Sequence, residues 1–155
     1  QASYFEQVLL EANKRLSLMT GSRFTLLRQE EASNLRSQTG LDIEVLDQYT
    51  GLRRPVRSLS GGESFKASLA LALGLSDIVQ QYAGGVEIDT LFIDEGFGAL
   101  DSESLEQSIS ILNSLTTGNR LVGIISHVTE LKERIEHKVI VHGSTSGSRI
   151  ELVKP

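Results

Sequence analysis

Along residues 4–20 the apolar positions Phe5, Val8, Leu9, Ala12, Leu16 and Met19 recur at three- and four-residue spacing. That period lays a single stripe along a helix, and Thr20-Gly21 stops it. Residues 23–30 and 41–47 read as strands, and in the second Leu41, Ile43 and Val45 alternate with Asp42 and Glu44. Tyr49-Thr50-Gly51 marks a turn, followed by a basic stretch of Arg53, Arg54 and Arg57 around Pro55. From Ala67 to Leu73 Leu alternates with Ala, so periodicity alone does not separate strand from helix. The length of the run and its Ala/Leu content favour a buried helix over roughly 62–82.

Gly84-Gly85 then breaks the chain. Residues 88–94 predict a strand ending in acids, and Gly96 and Gly98 loosen the next loop. A helix is expected at about 102–115, with Leu105, Ile109 and Leu112 on one face and Asp101 as its N-cap. Residues 121–126 read as a fully buried strand, and the β-α-β order implies parallel pairing. A short helix over 128–135 and a hairpin of 138–142 with 149–153 complete the chain. The expected class is α/β: a mostly parallel sheet flanked by helices, with a C-terminal β-hairpin.

Composition narrows the classes of function. At 155 residues, 39% hydrophobic and 23% charged, the chain is one domain of soluble globular composition that is long enough to bury a core. No run approaches the roughly 18–20 apolar residues of a membrane span, and nothing resembles a signal peptide. Cysteine is absent, which excludes disulfides and thiolate metal sites and fits the cytosol. A net charge of −5 argues against this segment being a basic nucleic-acid platform by itself, while leaving DNA binding open to a larger assembly. The chain begins at Gln1 without Met, and we expect an excised piece of a longer polypeptide.

Three short elements carry candidate chemistry. In Ser60-Gly61-Gly62-Glu63 the glycines bare backbone N–H groups where a helix begins, which suits an anion such as phosphate. The same Ser-x-x-Glu spacing is also a capping box that needs no ligand. Asp94-Glu95 stands at the carboxyl end of a strand, where ligand crevices of parallel sheets lie. There one acid suits Mg²⁺ and its neighbour suits orienting a water, unless the pair is simply a solvated strand end. His127 follows the next strand directly, placed either to contact a γ-phosphate oxygen or to serve a structural role. Asp101 is a helix cap by position or a group facing a second subunit's nucleotide. The chain holds no Gly-x-x-x-x-Gly-Lys-Ser/Thr loop to cradle the phosphates.

In this order and phrasing, Leu59–Ser64 running into Phe65–Ser76 and Leu91–Asp101 resemble the C-terminal half of an ABC-type ATPase head of the SbcC family. These are the ATPase subunits of bacterial SbcCD nucleases and relatives of SMC proteins. Transporter-type ABC ATPases typically carry Pro after the Asp-Glu pair, where this chain has Gly96-Phe97-Gly98. A transporter ATPase and a noncatalytic SMC-like structural clamp remain the alternatives.

The resemblance spans nearly the whole chain and implies a C-terminal lobe of a P-loop head over residues 1–155. Residues 1–20 would be the foot of a returning coiled coil, 59–82 the signature motif and its helix, and 88–127 the segment from Walker B to the His switch. It implies ATP and Mg²⁺, with Asp94 on the metal, Glu95 and His127 in catalysis, and Ser60, Gly61, Gly62, Glu63 and Asp101 around nucleotide held by a second head. It implies an N-terminal lobe with the Walker A loop, without which the chain is inactive. Further implied partners are a second copy of the head, an SbcD-type nuclease and double-stranded DNA ends. The resemblance also implies no membrane partner and a cytoplasmic location, at the nucleoid.

Overall fold

The structure, a computed structural model, describes residues 3–29, 43–82, 84, 90–116 and 121–155. The strand positions expected at 30, 41, 42, 88 and 89, and Gly85 of the chain break, lie outside these residues.

Helix α1, Tyr4–Met19, begins with a capping box in which the Ser3 hydroxyl accepts the Glu6 N–H and Glu6 accepts the Ser3 N–H. Of its expected stripe Val8, Leu9, Ala12, Leu16 and Met19 are buried, and Phe5 is half-buried against the same core. Helix α2, Gly61–Tyr82, lies against it. Within the alternating Leu/Ala run the buried set is Ala67, Leu69, Ala70, Leu73, Gly74 and Ile78, a helical spacing that resolves the ambiguity. The two helices cross at Gly74, where a methyl group would stand 2.7 Å from the Ala12 nitrogen and 2.8 Å from the Val8 carbonyl oxygen.

Strands β1 (Phe24–Arg28), β2 (Ile43–Asp47) and β3 (Leu52–Pro55) form an antiparallel sheet in the order β1-β2-β3. The basic stretch expected to follow a turn is therefore partly strand, with Arg54 opposite Val45, and it continues as a 3-10 turn over Val56–Ser58. Asn13 of α1 ties down the other edge, donating to the Leu26 carbonyl and accepting the Leu26 N–H, each at 2.8 Å. Both backbone groups of Leu26 are thereby satisfied on an edge that no further strand covers among the described residues.

Strand β4 (Thr90–Asp94) leads through a 3-10 turn, Phe97–Ala99, into helix α3, Ser102–Thr116. Strand β5 (Leu121–Ile125) pairs with β4 in parallel, from Thr90 opposite Leu121 to Asp94 opposite Ile125. Helix α4, Thr129–Arg134, precedes a hairpin of β6 (Lys138–Ser144) and β7 (Gly147–Val153). The hairpin is longer than expected, leaving only Thr145-Ser146 in the turn.

The α/β class and the terminal hairpin hold, while the balance inside that class differs from expectation. Among the described residues parallel pairing is confined to β4 with β5, and the other ladders are antiparallel. Nor is β5 fully buried. Leu91, Ile93, Val122 and Ile124 pack on the core, whereas Phe92, Leu121 and Ile125, at alternate positions, are 69%, 63% and 55% exposed. A continuous apolar run signals apolar cover on both faces, and the described residues supply it on one. Among those residues no helix is long and apolar enough to cross a membrane.

Candidate functional site

The expected site residues fall into two groups. At the start of α2 the Ser60 hydroxyl accepts the Glu63 N–H at 3.3 Å, and Glu63 accepts the Ser60 N–H at 2.9 Å. The capping box left open by the sequence is thus formed. It leaves the Gly61 and Gly62 amides, which open the helix and have no carbonyl one turn before them. The positive end of the helix dipole adds to their attraction for an anion. Gly62 also has a packing reason to be bare, because a Cβ there would stand 2.8 Å from the Ala99 carbonyl oxygen.

Ser60, Gly61, Gly62 and Glu63 share a cleft of about 620 Å³ with Asp101, Lys66, Arg23 and Tyr49. Asp101 caps α3, its Oδ1 accepting the Ser104 N–H at 2.7 Å. That bond, helped by the Ser104 hydroxyl and the nearby Lys66 ammonium, holds the Asp101 carboxyl below the usual carboxylate range against an opposing effect of burial.

Asp94, Glu95 and His127 stand outside the cleft, where β4 and β5 end. The Glu95 N–H donates to the Ile125 carbonyl at 2.9 Å, carrying the parallel ladder one step past β4. Glu95 nevertheless has φ +60° and Gly96 φ +95°, so the chain turns through two left-handed residues. For a residue with a Cβ that conformation is strained by about 1–2 kcal/mol. A Cβ at Gly96 would collide with the ring of Phe65. His127 Nδ1 lies 3.1 Å and 3.3 Å from the two Glu95 carboxylate oxygens. A carboxylate only accepts, so the contact is a hydrogen bond when Nδ1 carries the proton.

Asp94 is exposed and makes no hydrogen bond or ion pair through its side chain among the described residues. Two adjacent carboxylates supply the hard oxygen donors that Mg²⁺ prefers. Among the described residues no third His, Cys, Asp or Glu completes a metal-binding group, so the rest of a coordination shell would fall to phosphate and water. The donor chemistry fits Mg²⁺.

The two groups are joined by Gly96–Ala99. Phe97 is buried with its ring edge-on to Phe65 of α2, centroids 4.7 Å apart, and Ala99 lies against Gly62.

The family model described as SbcC/RAD50-like, Walker B motif, matches residues 30–114. The chain belongs to the SbcC/RAD50-like family. A Vibrio cholerae relative, the SbcC component of nuclease SbcCD, is 53% identical over 148 residues, 96% of this chain and 15% of that relative's length. Its Treponema pallidum counterpart is 46% identical over 148 residues, 96% of this chain and 14% of the relative. The chain therefore corresponds to a small part of such relatives. Its fold is shared with solved SMC structures. One, from a study of ATP-driven dimerization and DNA-stimulated activation of SMC ATPases, has a TM-score of 0.71 at 13% identity, covering 97% of this chain and 85% of that one.

In this SbcC/RAD50-like lobe the cleft includes residues that sequence reading missed. Arg23 chelates Asp47 at 3.0 Å and 3.4 Å and lies over the rings of Phe24 and Tyr49. The arginine's hydrogen bonds hold Asp47 below its ordinary range, again against burial. Of the three arginines near Pro55, Arg54 turns inward to Ser58 and Glu63, while Arg53 and Arg57 are exposed. Only the antiparallel register brings Arg23, Tyr49 and Arg54 beside residue 60, and spacing along the chain gives no hint of it.

Proposed function

We propose that this chain is the C-terminal half of a DNA-repair ATPase head that binds and hydrolyses ATP between two heads and so gates an SbcD-type nuclease on double-stranded DNA ends and hairpins. The observation that carries this reading is the division of the site into two incomplete halves. The Ser60-Gly61-Gly62 turn and Asp101 share one cleft, whereas Asp94, Glu95 and His127 lie outside it. Two such heads facing each other would pair the cleft of one with the strand ends of the other.

In that assembly Ser60 and the Gly62 amide contact the γ-phosphate of ATP held by the opposite head, and Asp101 faces the same interface. Glu95 orients and polarises the attacking water on its own head. His127, now against the Glu95 carboxylate, holds that side chain in place and reads the γ-phosphate. Mg²⁺, held through Asp94 and water, would neutralise phosphate charge. The Walker A loop comes from an N-terminal lobe, and the exposed face carrying Phe92, Leu121 and Ile125 supports a requirement for such cover. Residues 1–20 serve as the foot of the coiled coil. No membrane partner is required, and the assembly belongs to the cytoplasm at the nucleoid.

Because hydrolysis removes the γ-phosphate contact, it lets the heads part. Glu95→Gln is expected to lower turnover by about 10²-fold or more while trapping an ATP-bound pair of heads. Ser60→Arg is expected to prevent pairing. Both are measured on heads completed with the N-terminal lobe, by phosphate release and by mass in solution. Parental turnover in Glu95→Gln would remove the role given to Glu95.

A further inference from the structure

We infer that Arg54, assisted by Arg23, is a positioning residue that aims the Ser60 turn, an inference that rests on the reading of Ser60 as a contact to ATP across two heads. Arg54 sits on β3 and reaches both flanks of the turn. Upstream, its Nη1 donates to the Ser58 carbonyl at 2.7 Å and lies 3.2 Å from the Ser58 hydroxyl. That hydroxyl in turn donates to the Pro55 carbonyl at 2.7 Å, closing the 3-10 turn on itself. Downstream, the other terminal nitrogen lies 3.8 Å from Glu63 Oε2, the oxygen that accepts the Ser60 N–H. A planar guanidinium is suited to bracketing a turn in this way, since its donors diverge at fixed angles.

Arg23, immediately before β1, approaches the other carboxylate oxygen of Glu63. Its Nη1 is 3.8 Å from Glu63 Oε1, while its Nε and Nη2 are fixed on Asp47 and its plane rests over Phe24. Glu63 therefore has a cation facing each of its two oxygens, and one of those oxygens also holds the Ser60 N–H. The consequence is geometric. The capping box sets where the Ser60 hydroxyl sits, and the antiparallel sheet sets where the capping box sits. A capping Glu alone would hold the turn to its own helix. The two arginines hold it to β1 and β3.

The test uses the complete head with its N-terminal lobe. Three quantities are measured: nucleotide affinity of the unassociated head, ATP-driven association, and turnover at saturating head concentration. Arg54→Ala is expected to weaken association about three- to tenfold, the range of a few partly exposed charge-assisted contacts, while nucleotide affinity and saturated turnover stay within about twofold. Glu63→Gln keeps an oxygen for the Ser60 N–H but loses the ion pairs, and should weaken association similarly. Combined, the two should lose less than the product of their separate effects, because they remove one shared contact. Arg54→Lys restores the charge without the fork and should recover part of the loss.

Unchanged association in Arg54→Ala overturns the inference, as does a multiplicative double variant. Parallel losses in association and nucleotide affinity overturn it too, because they mark a general defect of the fold. A parent head that fails to associate with ATP refutes the reading of Ser60, and the inference with it. A parent that associates while the Arg54 variants match it refutes the positioning role alone.

Discussion

Gly61 and Gly62 look equivalent in the sequence and are not equivalent in the structure. A Cβ at Gly61 would meet only the Ala99 methyl carbon at 3.4 Å, an ordinary contact. At Gly62 it would stand 2.8 Å from the Ala99 carbonyl oxygen and 3.5 Å from the Leu100 side chain. The first of these neighbours is backbone and has no rotamer to change. Forcing a methyl group into such a contact costs about 1–3 kcal/mol. Replacing Gly by Ala inside a helix returns up to about 1 kcal/mol, and less in the first turn, so the clash wins.

The net expectation for Gly62→Ala is a loss of about 1–2 kcal/mol, or a Tm lower by roughly 2–8 °C in a domain of this size. Gly61→Ala should stay within about 0.5 kcal/mol of the parent. Thermal unfolding of the complete head, followed by circular dichroism without nucleotide, checks both. If the pair of glycines existed only to admit a ligand, the two variants would be equally stable in that experiment. Equal Tm values for Gly61→Ala and Gly62→Ala would refute the packing argument.

The carboxyl of Asp47 is held below its ordinary range by Arg23, so its stabilising effect is complete above the unfolded-state value and is lost as pH falls through the lower folded-state value. Urea midpoints measured from about pH 6 downward should therefore fall steeply below about pH 4 in the parent and less steeply in Asp47→Asn. The exposed and left-handed Glu95 leads to the opposite kind of expectation: Glu95→Gly should raise stability by up to about 1 kcal/mol while abolishing turnover, read from paired unfolding and phosphate-release measurements.

Much of the framework was legible because apolar periodicity reports burial directly. The stripe from Val8 to Met19 is the face that α1 buries, and the Leu105 to Leu112 spacing does the same for α3. Asp101 was legible as a cap because a side-chain oxygen before a helix has few other uses, and its bond to the Ser104 N–H bears that out. The basic stretch was not legible as a strand. Leu52-Arg53-Arg54-Pro55 has little β character by composition, and it pairs because a tight turn after Asp47 folds it back on β2. For the same reason nothing in the chain's spacing announces that Arg54 ends beside Glu63: the contact belongs to register, which a sequence pattern of one face does not report.

The same limit explains the least legible feature of the site, the backbone of Glu95. A carboxylate at a strand end reads as a solvated acid or as a catalytic one, and nothing in the dipeptide separates them. The structure adds that this acid is held in a conformation which suits Gly, while its N–H remains bonded to Ile125 and its carboxylate lies against His127. A solvated surface acid has no reason to stay there, since swapping it for Gly would relieve the strain at no loss of packing. Gly96 beside it is left-handed too, and a Cβ there would collide with the Phe65 ring, so the second residue of the turn has to be Gly. On the role proposed for Glu95 the strain is kept for its carboxylate, so the stability gain expected from Glu95→Gly and the loss of turnover are two readings of one constraint.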